Sequence, residues 1–258
     1  MVATQPDGTG IEWIGDLAEL GYDYAELPLA QMMALSDEAF QELKDKVLKA
    51  ELPCDVCNNF FPVNLRLTGG DVDNGKIDDY VQQACARAAE LGVNHIVFGS
   101  GPAKQIPEGF SREAGYQQIV KLLERAGSIA GKSGITIVIE PLRKAECNVI
   151  NTFEEGCRLA GDVGLENVKV LVDFYHLTVE KEPVEHLLRF GRQYLEHVHF
   201  ANPEGRIYPK QRGEAAYAPF IDALKQIGYC KRISCEAYSQ EFHRDAKQSL
   251  EFLKASFK

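Results

Sequence analysis

Short apolar segments alternate with amphipathic segments along the whole chain, and this alternation limits the possible folds more than any other feature. Each apolar segment is short and continuous, as parallel strands are when helices cover both faces of the sheet. The predicted strands occupy residues 2–4, 24–27, 54–58, 95–99, 135–140, 168–173, 196–200 and 232–236. From the second strand onward, strand ends follow at intervals of 26 to 42 residues, the length of one strand–helix unit. Eight such units predict an α/β protein with a single (β/α)8 TIM-barrel domain over residues 1–258.

The amphipathic segments between these strands are predicted to be helices. The segment from Asp73 to Leu91 places apolar residues at helical spacing and is followed by Gly92. The other predicted helices span residues 11–20, 36–50, 111–130, 152–163, 184–194, 214–227 and 240–257. An open, doubly wound sheet is the alternative, but it usually has fewer strands and a glycine-rich first turn. Residues 7–10 contain the early glycines and do not match that motif.

Charge and composition narrow the possible partners. The net charge of −10 argues against a nucleic-acid backbone or an anionic membrane as partner, since both need a positive surface. The chain has no apolar run of about 18 residues, the length that spans a membrane, and no visible secretory signal. The seven cysteines are an odd number, and several lie within apolar runs, which favours reduced thiols over a disulfide framework. We therefore expect a cytoplasmic protein.

Three carboxylates and one imidazole stand at the ends of four successive strands. These residues are Glu140, Asp173, His199 and Glu236. Removing an ion from water costs several kcal/mol, so buried charges need partners. In a TIM barrel the residues just past the strand ends converge on one face, where Glu26 and Asn58 would also lie. We therefore predict one divalent cation at this face. The oxygen-rich ligand set suits Mn²⁺ or Mg²⁺, with Co²⁺ or Zn²⁺ as alternatives.

Each of these residues also has an ordinary structural explanation. Asp173 could cap a helix, His199 could be a core histidine bound to a backbone carbonyl, and Glu236 could pair with a lysine. The metal interpretation is favoured because four such coincidences at strand ends are far rarer than one. His197 is expected to point away from His199, because side chains alternate along a strand, and either to support the site from behind the ligands or to be buried.

Four motifs in the second half of the chain resemble those of one enzyme superfamily. The motifs are Glu140 with Glu146, Asp173 with His176, His197-Val198-His199 followed by Arg206, and Glu236. They resemble the sugar isomerase/epimerase superfamily with the xylose isomerase-like TIM barrel. Within it, the chain is most similar to the ketose 3-epimerases of the D-psicose/D-tagatose type. Residues 58–62 and 69–73 also resemble that family's loop after the third strand, so the resemblance spans nearly the whole chain.

The resemblance implies an enzyme that removes and returns a proton next to a carbonyl, through an enediolate, in a ketose or keto-sugar. It implies one divalent ion, with Mn²⁺ first and Mg²⁺ or Co²⁺ as alternatives. The implied metal ligands are Glu140, Asp173, His199 and Glu236. Glu140 and Glu236 would also be the two catalytic groups, on opposite sides of the substrate carbon. The implied substrate-binding residues are Glu146, His176 and Arg206. We also expect a homo-oligomer that binds a small sugar.

Two departures from the family pattern bear on the substrate. Arg206 lies seven residues after His199, one more than in the epimerases, and the short first strand lacks the usual aromatic wall. A keto-glycoside or a sugar acid would fit a more open mouth. Phe60 and Phe61 are predicted either to form an apolar wall for the sugar ring or to cover the barrel.

The alternative function is a metal-dependent lyase or dehydratase, in which the same deprotonation is followed by loss of a neighbouring leaving group. Two more distant classes are disfavoured. An endonuclease IV-like DNA-repair enzyme would need more histidine ligands and a basic groove, whereas this chain has six histidines and a net charge of −10. A non-catalytic sugar-binding barrel would not need two opposed glutamates.

Overall fold

Seven parallel strands form a nearly closed barrel in the computed structural model, which describes residues 8–257. The strands pair in chain order, each with the next. Their bounds are Ala25–Pro28 (β1), Cys54–Asn58 (β2), His95–Phe98 (β3), Thr136–Ile139 (β4), Val168–Asp173 (β5), Leu195–His199 (β6) and Ile233–Ser234 (β7). Helices connect them, so the predicted barrel architecture is confirmed. The predicted strand at residues 2–4 lies outside the described residues.

The long helices correspond to the predicted ones, with ends that differ by a few residues at most. Their bounds are Ile14–Leu20 (α1, preceded by a 3-10 turn at Ile11–Trp13), Leu29–Met33 (α2), Asp37–Ala50 (α3), Asn74–Glu90 (α4), Gly101–Lys104 (α5), Arg112–Gly131 (α6), Phe153–Val163 (α7), Phe174–Val179 (α8), Glu185–Tyr194 (α9), Tyr217–Gln226 (α10) and Phe242–Ser256 (α11). Helices α2, α5 and α8 were not predicted. Each begins within three residues of the end of a strand and is too short to show helical periodicity.

Side-chain caps explain where several helices begin. The Ser36 hydroxyl accepts a hydrogen bond from the Ala39 backbone N–H at 3.2 Å, and Thr152 accepts one from Glu155 at 3.1 Å. Such caps satisfy backbone donors that have no partner within the helix. The polar residues before α3 and α7 therefore set the ends of two helices that cover the barrel.

The inside of the barrel has an apolar layer beneath a polar one. The apolar layer consists of four fully buried side chains from neighbouring strands, Val56, Val97, Val138 and Leu171. Because side chains alternate along a strand, residues two positions further on face the same interior. Those residues are Asn58, Gly99, Glu140 and Asp173. The polar layer therefore lies at the carboxyl ends of the strands, where TIM barrels place their active sites.

The helices and the cysteines agree with what the composition indicates. Within residues 8–257, no helix is both long and apolar enough to cross a membrane. All seven cysteines are thiols that are not joined in disulfides, and five of them are buried. These thiols therefore contribute to packing as small apolar side chains.

Candidate active site

The four predicted metal ligands converge at the polar end of the barrel. Each offers one ligand atom, and these atoms all lie within 4.8 Å of one another. Glu140 follows β4 directly, while Asp173 and His199 are the last residues of β5 and β6. Glu236 lies two residues beyond β7 and, with 26% of its side chain exposed, is the most accessible of the four. The fold thus brings together side chains from four strands, as the barrel geometry predicts.

His199 lies between two sets of carboxylates. Its Nδ1 is 3.1 Å from Glu140 Oε1 and 3.2 Å from Glu236 Oε2. Its Nε2–H donates to Glu26 Oε1 at 2.9 Å. Burial opposes protonation of the ring, but Glu26 and Glu236, helped by Glu140, raise the pKa of His199 well above its usual value. One ring nitrogen therefore faces the ligand cluster and the other faces Glu26.

The negative charge of the cluster is only partly compensated by the surrounding side chains. Burial, together with the nearby Glu236 carboxylate, raises the pKa of Glu140. Burial raises the pKa of Asp173 to about 7, although Arg206 acts in the opposite direction. Burial also opposes ionisation of Glu236, but Arg206 and His199 outweigh it and lower the pKa of that carboxyl. A divalent cation would supply the positive charge that Glu140 and Asp173 lack, so this donor set fits such an ion.

Arg206 extends into the cluster from the loop after β6. Its guanidinium donates to Asp173 Oδ2 at 3.2 Å and makes a short hydrogen bond to Glu236 Oε2. The guanidinium also lies over the Tyr175 ring, 4.8 Å from its centroid. Arg206 has a φ of +49°, a conformation that non-glycine residues seldom adopt. The predicted substrate-binding arginine is thus in the site, paired with two of the predicted metal ligands.

His176 presents an unused hydrogen-bond donor beside the cluster. Its Nδ1 accepts from the Arg143 backbone N–H at 3.2 Å, which places the ring proton on Nε2. Nε2 is buried without a hydrogen-bond partner among the described residues, 3.6 Å from Asp173 Oδ2 and 3.9 Å from Glu146 Oε2. Burial, with Arg206 close by, lowers the pKa of His176 to about 3, so the ring stays neutral. Glu146 itself pairs with Arg143 at 2.6 Å.

The expected orientation of His197 is wrong. His197 and His199 are two positions apart on β6, and residues at that spacing share a face, so both rings point into the barrel. Their centroids are 5.2 Å apart, and His197 pairs in register with Leu171 of the apolar layer. The expected burial of His197 is confirmed, since the side chain is fully enclosed. His197 therefore lies directly beneath the cluster.

A cavity of about 440 Å³ opens at the cluster. Its polar lining includes Asn58, Glu140, Glu146, Arg206 and Glu236. Of the two aromatic residues singled out in the sequence, Phe61 lines the cavity and Phe60 is fully buried behind it. Their ring centroids are 4.2 Å apart. Val63 and Tyr238 also line the cavity and are each 68% exposed. The cavity therefore has a charged interior and an exposed apolar edge.

Two residues that hold Glu140 in place were not predicted. Lys104 is wholly buried, and its ammonium donates to the backbone carbonyl of Glu140 at 3.0 Å. Gly99 lies so close that a Cβ at this position would be 2.3 Å from Glu140 Oε2. Neither residue belongs to a motif, and both contacts join positions far apart in the sequence. The sequence offers one weak signal, a lysine within the largely apolar segment 101–107.

Comparison with known proteins agrees with this fold. A family profile described as "Xylose isomerase-like TIM barrel" matches residues 14–256. The chain belongs to this family. The D-psicose 3-epimerase of Agrobacterium fabrum is 29% identical over 236 residues, which cover 88% of this chain and 78% of that enzyme. The 3-dehydro-D-guloside 4-epimerase of Escherichia coli is 31% identical over 101 residues, which cover 39% of this chain and 38% of that enzyme.

A solved structure extends the comparison. D-psicose 3-epimerase from Clostridium cellulolyticum H10, crystallised with D-tagatose, superposes with a TM-score of 0.84. The match covers 96% of this chain and 93% of that chain at 21% sequence identity, so it supports the fold alone. The predicted family is thus confirmed. The predicted enzyme class is confirmed too, since the relatives are epimerases and isomerases of the sugar isomerase/epimerase superfamily.

Replacement of Gly99 by alanine is expected to disable the site of this xylose isomerase-like barrel without unfolding it. The added methyl would occupy the place of Glu140 Oε2, and a side-chain carboxylate moves more easily than a strand. A misplacement of about 1 Å in a reacting group can cost roughly 10²-fold in rate. Steady-state kinetics and thermal unfolding of Gly99→Ala measure both effects. Gly70→Ala is the matched control, because a Cβ there meets no atom within 4 Å. Unchanged kcat in Gly99→Ala would contradict the prediction.

Proposed function

We propose that this protein is a divalent-metal-dependent sugar isomerase or epimerase that acts by proton transfer next to a carbonyl. The observation that carries the proposal is the convergence of three carboxylates and one imidazole within 4.8 Å at the end of the barrel. A structural ion pair needs no such excess of carboxylates, and a hydrolytic zinc site would be richer in nitrogen or sulfur ligands.

The residues that would hold the cation are Glu140, Asp173, His199 and Glu236. When bound, a divalent ion would act as a Lewis acid that polarises the substrate carbonyl and acidifies the neighbouring C–H. Mn²⁺ is the first choice because a set of three carboxylates and one imidazole suits a metal that accepts both oxygen and nitrogen, with Mg²⁺ and Co²⁺ as the alternatives.

The two glutamates would act from opposite sides of the substrate carbon. Glu140 follows β4 and Glu236 follows β7, and β5 and β6 separate these strands in the sheet, so the side chains enter the cluster from different directions. Both carboxylates line the cavity, where a substrate carbon can approach them. One glutamate would remove the proton and the other would return it to the opposite face, which inverts that carbon.

Three other residues would bind and orient the substrate. The free Nε2–H of His176 is a donor for a carbonyl or hydroxyl oxygen. Arg206 adds a fixed positive charge beside Asp173 and Glu236, and Glu146 is an acceptor for a sugar hydroxyl on the cavity wall. Such groups reduce the freedom of a flexible sugar before the proton moves.

The proposed substrate is a ketose or another keto-sugar. The exposed Val63 and Tyr238 at the cavity edge leave room for a substituent on the sugar, so a keto-glycoside is within the proposed range. The expected homo-oligomer and the expected cytoplasmic location stay predictions.

Turnover in D₂O tests the proposed reaction directly. A panel of ketoses and keto-glycosides is incubated with Mn²⁺-supplemented enzyme and followed by NMR. We expect a rearranged sugar that carries one deuterium on the carbon next to the carbonyl. Product formed without deuterium would contradict proton abstraction and indicate hydride transfer. Deuterium uptake with loss of water or of an alcohol would identify the lyase instead of the isomerase.

A further inference from the structure

We infer that Glu26 is a positioning residue for the metal-binding histidine. Its carboxylate holds the proton on Nε2 of His199 and orients the ring, so that Nδ1 presents its lone pair to the cation. This inference rests on the proposed function, because it requires His199 to be a cation ligand. It concerns a carboxylate that lies beneath the ligand cluster and has no part in the proposed reaction.

The contact between Glu26 and His199 determines which ring nitrogen of His199 can bind the cation. Nε2 lies 2.9 Å from Glu26 Oε1, while Nδ1 points to Glu140 and Glu236. A carboxylate can only accept at this contact, so Nε2 must carry a proton. When a cation takes Nδ1 in place of the Glu140 contact, the ring keeps one proton, and the contact with Glu26 fixes that proton on Nε2. Histidine ligands in metal sites are commonly held in this way by a carboxylate behind the ring.

Glu26 is itself held rigidly. The side chain comes from β1, is 5% exposed, and uses both oxygens. Its Oε2 accepts from Ser234 at 2.5 Å and from His197 Nε2 at 3.1 Å. Since Ser234 gives its proton to Glu26, the Tyr24 hydroxyl is the donor in its 2.8 Å contact with Ser234 Oγ. Glu26 is thereby held by side chains from β6 and β7, and these hydrogen bonds keep its carboxylate turned toward His199.

A second cation at Glu26 is the competing explanation, because Glu26, His197 and His199 also offer atoms within 4.8 Å of one another. The geometry disfavours it. Each ring Nε2 already donates to a different Glu26 oxygen, and one of these oxygens also accepts from Ser234. A cation bound by Glu26, His197 and His199 would break these three hydrogen bonds to the buried Glu26 carboxylate. Glu26 and His197 therefore form a hydrogen-bonded support for His199 and not a second cation site.

Titration of the metal-stripped protein with Mn²⁺, with free Mn²⁺ read by electron paramagnetic resonance, tests the inference. Glu26→Gln keeps the size of the side chain but lets the amide present either oxygen or nitrogen to His199. We expect the dissociation constant for Mn²⁺ to rise roughly 10- to 100-fold, the usual effect of removing such a support. Glu196→Gln is the matched control, since Glu196 pairs with His95 at 3.3 Å on the same barrel and does not contact His199. The control should bind Mn²⁺ like the unmodified protein.

A ¹⁵N NMR spectrum of the Mg²⁺-loaded protein separates positioning from general stability. In the unmodified protein, His199 should show a proton on Nε2 and none on Nδ1; in Glu26→Gln the Nε2 proton should become exchange-broadened or lost. If Glu26→Gln does not fold, Glu26→Asp replaces it, because it keeps the charge but cannot reach both histidines. Unchanged Mn²⁺ affinity in the folded variant would overturn this inference alone. Failure of the unmodified protein to bind Mn²⁺ would overturn the proposed function as well.

Discussion

Replacement of Glu236 by glutamine is expected to reduce kcat by about 10²- to 10⁴-fold, the range that a general acid or base contributes, with the fold intact. The amide has nearly the same shape but cannot take up or return a proton. It can still accept a hydrogen bond from Arg206, which pairs with Glu236 in the cluster. The variant should therefore stay soluble and unfold at a similar temperature. Kinetics at saturating Mn²⁺, beside thermal unfolding, measure the two effects separately.

A neighbouring glutamate provides the control for this experiment. Glu241 lies five residues further on, is 59% exposed, and forms a surface ion pair with Arg244 at 2.6 Å. Glu241→Gln removes the same charge from the same loop region, and exposed ion pairs contribute little to stability. Its kcat should match that of the unmodified enzyme. Full activity in Glu236→Gln would remove this residue from the mechanism, whatever the control shows.

Removal of divalent metal is expected to abolish turnover and to lower the unfolding temperature. Without the ion, the carboxylates of the cluster lose their main source of positive charge, and the substrate carbonyl loses its electrophile. A ligand present at about 100 times its dissociation constant stabilises the folded state by about 2.7 kcal/mol. Stability should fall by a comparable amount in chelator and return with Mn²⁺. Elemental analysis before treatment should find close to one divalent ion per chain.

The control for chelation is gel filtration of the treated enzyme followed by addition of Mn²⁺, which should restore the full rate and so exclude lasting damage by the reagent. Asp173→Asn adds an independent check, because it weakens one ligand without any reagent. An enzyme that is free of metal by elemental analysis and still turns over at the full rate would contradict the proposed mechanism.

The elements of the fold that could be predicted from the sequence are those that leave a pattern in adjacent residues. The strands and long helices were predicted because apolar runs and helical spacing are properties of a few adjacent residues. The convergence of the four candidate ligands was predictable because a barrel brings strand ends together. No knowledge of side-chain contacts was needed to place Glu140 and Asp173 at the same face. The short helices were missed because one turn carries too little periodicity.

The orientation of His197 was missed for a different reason. Side chains of adjacent residues in a strand point to opposite faces, whereas residues two positions apart point to the same face. His197 and His199 are two positions apart, and the prediction applied to them the rule for adjacent residues. Barrel geometry predicted that Glu26 lies at this face, but the contacts that support the site were beyond local patterns. Glu26, Lys104 and Gly99 act through contacts with residues far away in the chain, and only a three-dimensional structure reveals such contacts.

The last strand supplies Ser234 to the carboxylate beneath the cluster, and Glu236, two residues further on, belongs to the cluster itself. Assembly of the site therefore depends on contacts of very high sequence separation, which form late because long loops must close first. During synthesis, the nascent chain would expose carboxylates from earlier strands before it could hold an ion tightly. Tight metal binding would therefore occur only after the C-terminal part of the chain has packed onto the barrel. Once bound, the metal would slow unfolding.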